Sequence, residues 1–176
     1  MKGYSSLYSY GQNSPYLYSD FSSSLHGKPQ KYHNEYSVYS KMRKKDIKHG
    51  IYSTESGYAK NPTQQNLKVM VKGNYIVGKQ YNKRVPYVIT ANNEVIIGDR
   101  NGNGRYGKPT PHPTLVGGKD PKVRMAGMLD IRGGKIYSYD DRSGHYRPNE
   151  KSIKWADEAF KNYPKAKGFK GGKTNE

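Results

Sequence analysis

The pattern of hydrophobic and polar positions divides the chain near residue 60. Residues 1–60 carry serine, tyrosine, glycine and asparagine without a sustained helical period, and later apolar positions recur in short runs. A stretch without a period has no face to bury, which is typical of a tail or an extended arm. We predict an extended or disordered Tyr/Ser-rich arm with a basic linker at 1–60, a folded domain at 61–164 and a basic flexible tail at 165–176.

Alternating apolar positions predict β-strands in the folded part. The run 85–98 (VPYVITANNEVIIG) predicts a hairpin that turns at ANN. A second hairpin is predicted over 124–141, where the glycines of RGG supply the positive φ angles of a tight turn. Two further strand regions are predicted at 67–78, broken by KGN, and at 112–118 (HPTLVGG). The positions expected to be apolar faces are Val69, Val71, Tyr75, Val77, Val85, Tyr87, Ile89, Val95, Ile96, Ile97, Met128, Leu129, Ile131, Ile136, Tyr137 and Tyr139.

One helix is signalled near the C-terminus. Asn149 can cap it after Pro148, and Pro164 ends it. Its apolar face is expected to include Ser152, Ala156, Ala159, Phe160 and Tyr163. Together, the predicted strands and helix indicate an α+β fold. We expect a small antiparallel β-meander or partly open barrel with a C-terminal helix, preceded by the extended arm.

Composition adds a strong positive charge to this picture. The chain has a formal net charge of +17 and a hydrophobic fraction of 32%, and it contains 18 tyrosines. A basic surface attracts nucleic acid, anionic membranes or acidic proteins, although it also serves simply to keep a protein soluble. We predict RNA or another polyanion as the partner.

Several classes are disfavoured by what the sequence lacks. It contains no cysteine, which excludes disulfides and thiolate metal sites. No apolar stretch approaches the ~20 residues of a membrane span, and the N-terminus has no apolar signal core. We therefore expect no membrane span and no signal peptide in this chain, and we expect a carrier if the protein is secreted or delivered into a target cell.

The loop DRNGNG at 99–104 matches the first half of a calcium loop. Calcium loops continue to a bidentate acid at the twelfth position, which here is Thr110. A loop built from two Asn-Gly turns is the favoured interpretation, and we predict no metal and no cofactor.

Two histidines are presented on stiff turns. His112 lies between two prolines, and His145 follows Gly144, whose freedom to adopt a positive φ allows a bend. Such a pair can act as general acid and base near neutral pH, with Arg147 stabilising charge on a phosphate. We predict His112, His145 and Arg147 as catalytic. The predicted substrate-binding residues are Thr114, Lys119, Ser143 and Tyr146. The alternative is that His145 and Tyr146 bond backbone groups and lock a strand to the helix.

The segment HPTLVGGKDPKVRMAGMLDIRGGKIYSYDDRSGHYRPNEKSI, residues 112–153, resembles the C-terminal segment of Rhs-type polymorphic toxins of bacteria. Those toxins show a His-Pro-Ser/Thr strand, a Gly-Gly, a hairpin with GGKI, and then SGH with an aromatic residue and a proline. A similar order is found in plant IQ-motif calmodulin-binding proteins. The resemblance covers about residues 85–160, and residues 4–20 (YSSLYSYGQNSPYLYSD) also look like the end of an Rhs repeat core.

The resemblance implies a toxin or effector domain delivered by a bacterial secretion or polymorphic-toxin system. It implies an Rhs-type or secretion-system carrier and a cognate immunity protein as partners. With the charge and the two histidines, it leads to a metal-independent ribonuclease as the first functional prediction. An ADP-ribosyltransferase, which would need a nicotinamide pocket and a suitably placed glutamate, is one alternative. A non-enzymatic binding or packaging module is the other.

Overall fold

The computed structural model describes residues 28–174, and the part of the predicted arm that precedes residue 28 lies outside the described residues. The helices are α1 (Ser40–Lys48) and α2 (Ile153–Phe160). The strands are β1 (Tyr52–Ser53), β2 (Gly57–Tyr58), β3 (Gln65–Asn66), β4 (Val71–Lys72), β5 (Tyr75–Ile76), β6 (Lys83–Ile89), β7 (Val95–Ile97), β8 (Met125–Arg132), β9 (Lys135–Asp140) and β10 (Gly171–Lys173). Short 3-10 helices cover Leu67–Met70, Arg105–Gly107, His112–Leu115 and Glu150–Ser152.

A six-stranded sheet with the order β10-β9-β8-β6-β7-β3 organises the domain. Its strands pair antiparallel except for β10, which runs parallel to β9. The order departs from chain order because β8 pairs with β6 on the side opposite β7. The α+β prediction is thus confirmed, with a largely antiparallel sheet and a short C-terminal helix.

Both predicted hairpins form where their turn signals lie. The β6–β7 hairpin turns through Asn93 at φ 61°, and the β8–β9 hairpin turns through Gly133 and Gly134 at φ 58° and 75°. A Cβ at Gly134 would lie 2.8 Å from the ring of Tyr81, so close packing as well as turn geometry requires glycine there. The predicted cap also forms, because the Asn149 side chain accepts the Lys151 backbone N–H at 3.0 Å.

The sheet buries apolar side chains on both faces. On β6, Tyr87 belongs to a core cluster completed by Phe160 of α2, whereas Val88 belongs to a second cluster that includes Met42 of α1. Successive residues of a strand point to opposite faces, so the two helices cover opposite sides of the sheet. The continuous burial from Val85 to Ile89 follows from this arrangement.

The second cluster corrects the predicted boundary at residue 60. Residues 28–60 form one layer of the domain, and they are not an arm or linker within that range. Their buried side chains are Tyr36, Val38, Met42, Asp46, Ile51 and Tyr58. The backbone of Tyr36 exchanges two hydrogen bonds with Val123, at 2.7 and 3.1 Å. The hydrophobic pattern of residues 28–60 is weak because this layer buries isolated side chains from short elements and has no long amphipathic face.

The predicted basic tail also packs on the domain. Phe169 packs against the first core cluster, and β10 extends the sheet beside β9. Backbone hydrogen bonds from Ala166 to Ile136 and from Lys170 to Tyr137, both of 2.8 Å, hold the intervening segment. Glycine-rich composition therefore gave a wrong prediction for residues 165–174, since sheet pairing needs backbone groups and not side chains.

Two further strand predictions differ from the structure. Residues His112–Leu115 form a 3-10 helix in place of a strand, and the 67–78 region begins with another before the short β4–β5 hairpin. Of the apolar positions predicted in that region, Val71 packs against the first core cluster, whereas Val69, Tyr75 and Val77 are exposed at 67%, 46% and 36%. Within residues 28–174, neither helix has the length and apolar character needed to cross a bilayer.

Candidate functional site

The RSGHYRP segment forms a tight turn directly after β9. The Tyr146 N–H donates to Ser143 Oγ at 3.2 Å, and the Arg147 N–H donates to the Ser143 carbonyl at 2.7 Å. The left-handed φ of the turn lies at Arg147, at 44°, whereas the sequence prediction placed it at Gly144. The Arg147 Nε donates back to the Gly144 carbonyl at 3.2 Å, which holds this unusual conformation.

His145 is fully buried and bonds to a carboxyl group of α1. Its Nε2 lies 3.1 and 3.3 Å from the two carboxyl oxygens of Asp46, and the Tyr58 hydroxyl donates to the same carboxyl group. Both His145 and Asp46 have no exposed surface. Because carboxylate oxygens accept hydrogen bonds, Nε2 carries the proton. This buried network ties the turn to α1 and β2.

Burial raises the pKa of Tyr58 far above its ordinary value, and the charge of Asp46 raises it further. Burial likewise raises the pKa of Tyr146 far above the ordinary range. Both hydroxyls therefore remain protonated at physiological pH and act as hydrogen-bond donors. Tyr146 donates to the Pro121 carbonyl at 2.5 Å.

The backbone of the same turn forms hydrogen bonds with the N-terminal layer, residues 28–60. The Tyr39 N–H donates to the His145 carbonyl, and the Gln30 N–H donates to the Arg147 carbonyl, both at 2.7 Å. The Arg147 guanidinium stacks over the Tyr39 ring at 4.0 Å from its centroid. We call residues 142–148, with their partners in residues 30–58, the lock.

His112 has a comparable but separate position. Its Nε2 donates to the Gly127 carbonyl of β8 at 2.8 Å, and its side chain is fully buried. Thr114 is also buried, and its hydroxyl donates to the Pro111 carbonyl at 2.7 Å, which closes the 3-10 turn. Lys119 is exposed, and its carbonyl accepts the Tyr52 hydroxyl at 3.0 Å.

The two histidines thus contact different elements, β8 for His112 and α1 for His145. Neither ring has surface that a substrate could reach in this structure. The geometry favours the alternative in which His145 and Tyr146 lock the fold, and catalysis by His112, His145 and Arg147 stays a prediction.

The loop DRNGNG is held by hydrogen bonds to its backbone. Asn61 Nδ2 and the Thr110 hydroxyl both donate to the Asp99 carbonyl at 2.8 Å, and the Gly102 N–H donates to Thr110 Oγ1 at 2.9 Å. The Asp99 carboxylate binds Lys83 Nζ at 2.7 Å. Among residues 28–174, no three His, Asp or Glu side chains are grouped to hold a metal ion.

Two exposed features were missed by sequence reasoning. The first is a surface where the β4–β5 hairpin, Lys79–Tyr81 and the β8–β9 turn meet. The Gly134 N–H donates to the Tyr81 carbonyl at 2.8 Å, and the Ile76 N–H donates to the Gly134 carbonyl at 2.6 Å. We call it the hairpin-end surface; its exposed or partly exposed cations and aromatic residues are Lys72, Tyr75, Lys79, Tyr81, Arg132 and Lys135.

The second feature is a cleft of about 350 Å³ beside the start of β6. Lys83, Arg84 and Arg100 line it, together with Asp99 and Asn101. A neighbouring cleft of about 430 Å³ shares Asp99 and reaches Val69, Val77 and Lys79. In the sequence the first of these clefts is marked by the cation pair Lys83 and Arg84 at the start of β6, which the apolar alternation of that strand does not reveal.

Comparison of this chain with protein-family models, with curated proteins and with solved structures gave no match.

Proposed function

We propose that this chain is an effector module that binds single-stranded RNA at the hairpin-end surface. The supporting observation is the exposure of Tyr75 and Tyr81, at 46% and 44%, among the cations of that surface. The resemblance to Rhs-type polymorphic toxins supports an effector that a carrier delivers into a target cell and that an immunity protein restrains.

The chemistry of the surface suits an unpaired strand. Cations supply a sequence-independent attraction to phosphates, and exposed aromatic rings stack on bases, whose faces are available only when the strand is unpaired. The Lys135 ammonium lies 5.1 Å from the centroid of the Tyr75 ring, so a cation and a stacking surface are already adjacent. A phosphate and its neighbouring base can then be held together.

Binding is better supported than cleavage by the histidine pair. General acid-base catalysis needs rings within hydrogen-bond reach of the substrate, and both histidines are buried and bonded inside the fold. The ADP-ribosyltransferase alternative needs a glutamate beside a nicotinamide pocket, whereas the carboxylate that lines both clefts belongs to Asp99.

The test measures fluorescence anisotropy of a labelled single-stranded RNA with the full chain. Replacing both Tyr75 and Tyr81 by alanine should weaken binding about thirtyfold or more, since each stacked base contributes about 1–3 kcal/mol and two are lost. The matched control is Tyr106→Ala, which removes a tyrosine that is 89% exposed on another loop, and binding should be unchanged.

Salt dependence provides an independent measurement. Lys72→Ala with Lys79→Ala should reduce the slope of log K against log salt by about 1.4, or 0.7 for each lost contact. Equal affinity in the wild type and the double tyrosine variant, or tighter binding of duplex RNA than of the single strand, would contradict the proposal. RNA integrity and the NAD level, measured as growth stops during bacterial expression, report separately on the two enzymatic alternatives.

A further inference from the structure

The cleft of about 430 Å³ that adjoins the hairpin-end surface has exposed apolar walls. These walls come from Val69, Met70 and Val77, and the two valines are exposed at 67% and 36%. The Val77 N–H donates to the Met70 carbonyl at 2.9 Å, which holds the two sides of the β4–β5 hairpin together at this point. Apolar surface that lines a cleft favours a ligand with apolar faces, because covering it removes it from water.

Gln80 presents an unpaired amide to this cleft. The residue lines the cleft and is only 6% exposed, yet its side chain makes no hydrogen bond within residues 28–174. The neighbouring Thr63 hydroxyl is already used, since it donates to Asn61 and accepts the Asp99 N–H, at 2.7 and 2.8 Å. A buried amide without a partner costs free energy, so a ligand that offers both a donor and an acceptor would bind it favourably.

A single turn places this amide beside the stacking surface. The Tyr81 N–H donates to the Gly78 carbonyl at 3.2 Å, and Gly78 has a positive φ of 101°. Within this turn Gln80 is buried, whereas the next residue, Tyr81, is 44% exposed. Lys79 is exposed and also lines the cleft. A base in the cleft, a phosphate at Lys79 and a second base on Tyr81 can therefore belong to one strand.

We infer that this cleft binds one nucleobase of the RNA strand and reads its hydrogen-bonding edge through Gln80, an inference that deepens the proposed function and rests on it. Unpaired bases expose both their flat faces and their edges to a protein. The faces suit the walls formed by Val69 and Val77. The amide accepts at its oxygen and donates from its nitrogen, which complements an edge where an amino group lies beside a ring-nitrogen acceptor, as in adenine and cytosine.

Asp99 adds a second criterion for the base. Its carboxylate lines the same cleft and accepts a hydrogen bond from Lys83 Nζ at 2.7 Å. An amino group has two N–H bonds, one for Gln80 and one for this carboxylate. Uracil and guanine carry a carbonyl oxygen in place of that amino group, and the Gln80 amide can rotate to match it, whereas a carboxylate repels it. The cleft should therefore prefer adenine and cytosine over uracil and guanine.

The experiment compares oligocytidylate with oligouridylate of the same length, by fluorescence anisotropy with the full chain. Both bases have one ring of the same size, so they differ chiefly in the edge that the cleft would read. Wild-type protein should bind the cytidine strand about tenfold more tightly, as expected for one bidentate contact. Gln80→Met, which keeps a side chain of similar size without the amide, should reduce the affinity for the cytidine strand to about that for the uridine strand. Gln64→Met, which removes an amide outside the cleft, should retain the preference.

Asp99→Asn provides a second variant at a partly exposed side chain, which decides the question even if Gln80→Met does not fold. The ratio of the two affinities should fall, because an amide does not repel a carbonyl oxygen. Free cytidine 5′-monophosphate tests the source of the base: if its binding depended on Gln80 while both strands bound equally, the assignment to an RNA strand would be wrong. Equal binding of the two strands, or a preference that Gln80→Met leaves unchanged, overturns this inference and leaves the RNA proposal standing. Binding of neither strand overturns the RNA proposal itself.

Discussion

The lock and the hairpin-end surface are built from similar side chains but place them differently. In the lock, Tyr58, His145 and Tyr146 are buried, and each makes a hydrogen bond inside the fold. At the hairpin-end surface, Tyr75 and Tyr81 are nearly half exposed beside cations. The same residue types therefore hold the protein together in one region and remain available to a ligand in the other.

The difference shows why a motif rich in chemical groups need not be a binding site. A buried polar group costs free energy unless it is hydrogen-bonded, so a fold that uses histidine and tyrosine inside must supply partners such as Asp46. An exposed tyrosine is already hydrated and has no such requirement. A segment rich in polar side chains indicates that these groups need hydrogen-bond partners. Only their burial in the structure shows whether those partners lie inside the protein.

The largest effect should come from removing the N-terminal side of the lock. A chain shortened to begin at Asn61 should lose cooperative thermal unfolding, because five large buried side chains are removed. Burying each contributes about 1.5–3 kcal/mol, which together is comparable to the whole stability of a typical domain, about 5–15 kcal/mol. The side chains are Tyr36, Val38, Met42, Ile51 and Tyr58.

Circular dichroism melts would measure this, with a chain that begins at Lys28 as the control. The control should melt cooperatively, since it retains every residue of the second cluster. If the shorter chain melted at the same temperature as the control, residues 28–60 would be the dispensable arm that their composition predicts.

A smaller loss should follow from opening the lock at one point. Asp46→Ala leaves the Tyr58 hydroxyl and the His145 Nε2 without their shared acceptor, which should cost about 3–5 kcal/mol. Urea denaturation measures the change, and Glu55→Ala, at an exposed acid, should stay within about 0.5 kcal/mol of the wild type.

His145→Ala separates the structural role from the catalytic prediction. If His145 is structural, the variant should unfold at a lower urea concentration, while the folded protein should retain its affinity for RNA. If His145 is catalytic, the variant should instead cleave RNA about 10²–10⁴-fold more slowly. A large loss of cleavage with unchanged stability would show that the lock is a site after all.

The smallest effect is expected from raising the pH by one unit above 10, where the tyrosines of the lock begin to contribute to the pH dependence of stability. The folded pKa values of Tyr58 and Tyr146 are raised above the unfolded value of 10.0, because burial disfavours the charged form. The stability from each protonated hydroxyl is therefore fully present below pH 10 and is lost as pH rises from 10 toward the folded pKa. Each tyrosine should lower the unfolding free energy by about 1.4 kcal/mol per pH unit in that window.

Urea midpoints at several pH values above 10 would measure the slope. Tyr146→Phe should reduce the slope of the unfolding free energy against pH by the contribution of one proton. Below pH 10 the same variant should lose about 1 kcal/mol of stability, because the hydrogen bond to the Pro121 carbonyl is lost. An unchanged slope in that variant would mean that Tyr146 is not kept protonated by burial. The Tyr106→Phe control, at an 89% exposed tyrosine, should leave the stability unchanged.

Predictions from the sequence succeeded where the determining interactions are local. The β8–β9 turn is encoded by two adjacent glycines, and the start of the C-terminal helix is encoded by Asn149, whose side chain bonds two residues ahead. The same logic identified the β6–β7 hairpin. It failed for His112–Leu115, where flanking prolines fit a strand entry and a 3-10 turn equally well.

The sequence by itself determined the basic charge, the absence of thiol chemistry, the two hairpins and the capped helix, because each depends on composition or on residues close together in the chain. Only the tertiary structure decided that residues 28–60 belong to the domain and that His145 lies against Asp46, 99 positions away. Burial depends on what the rest of the chain places over a residue. Burial therefore distinguishes the lock from the hairpin-end surface, although both regions contain similar types of amino acid.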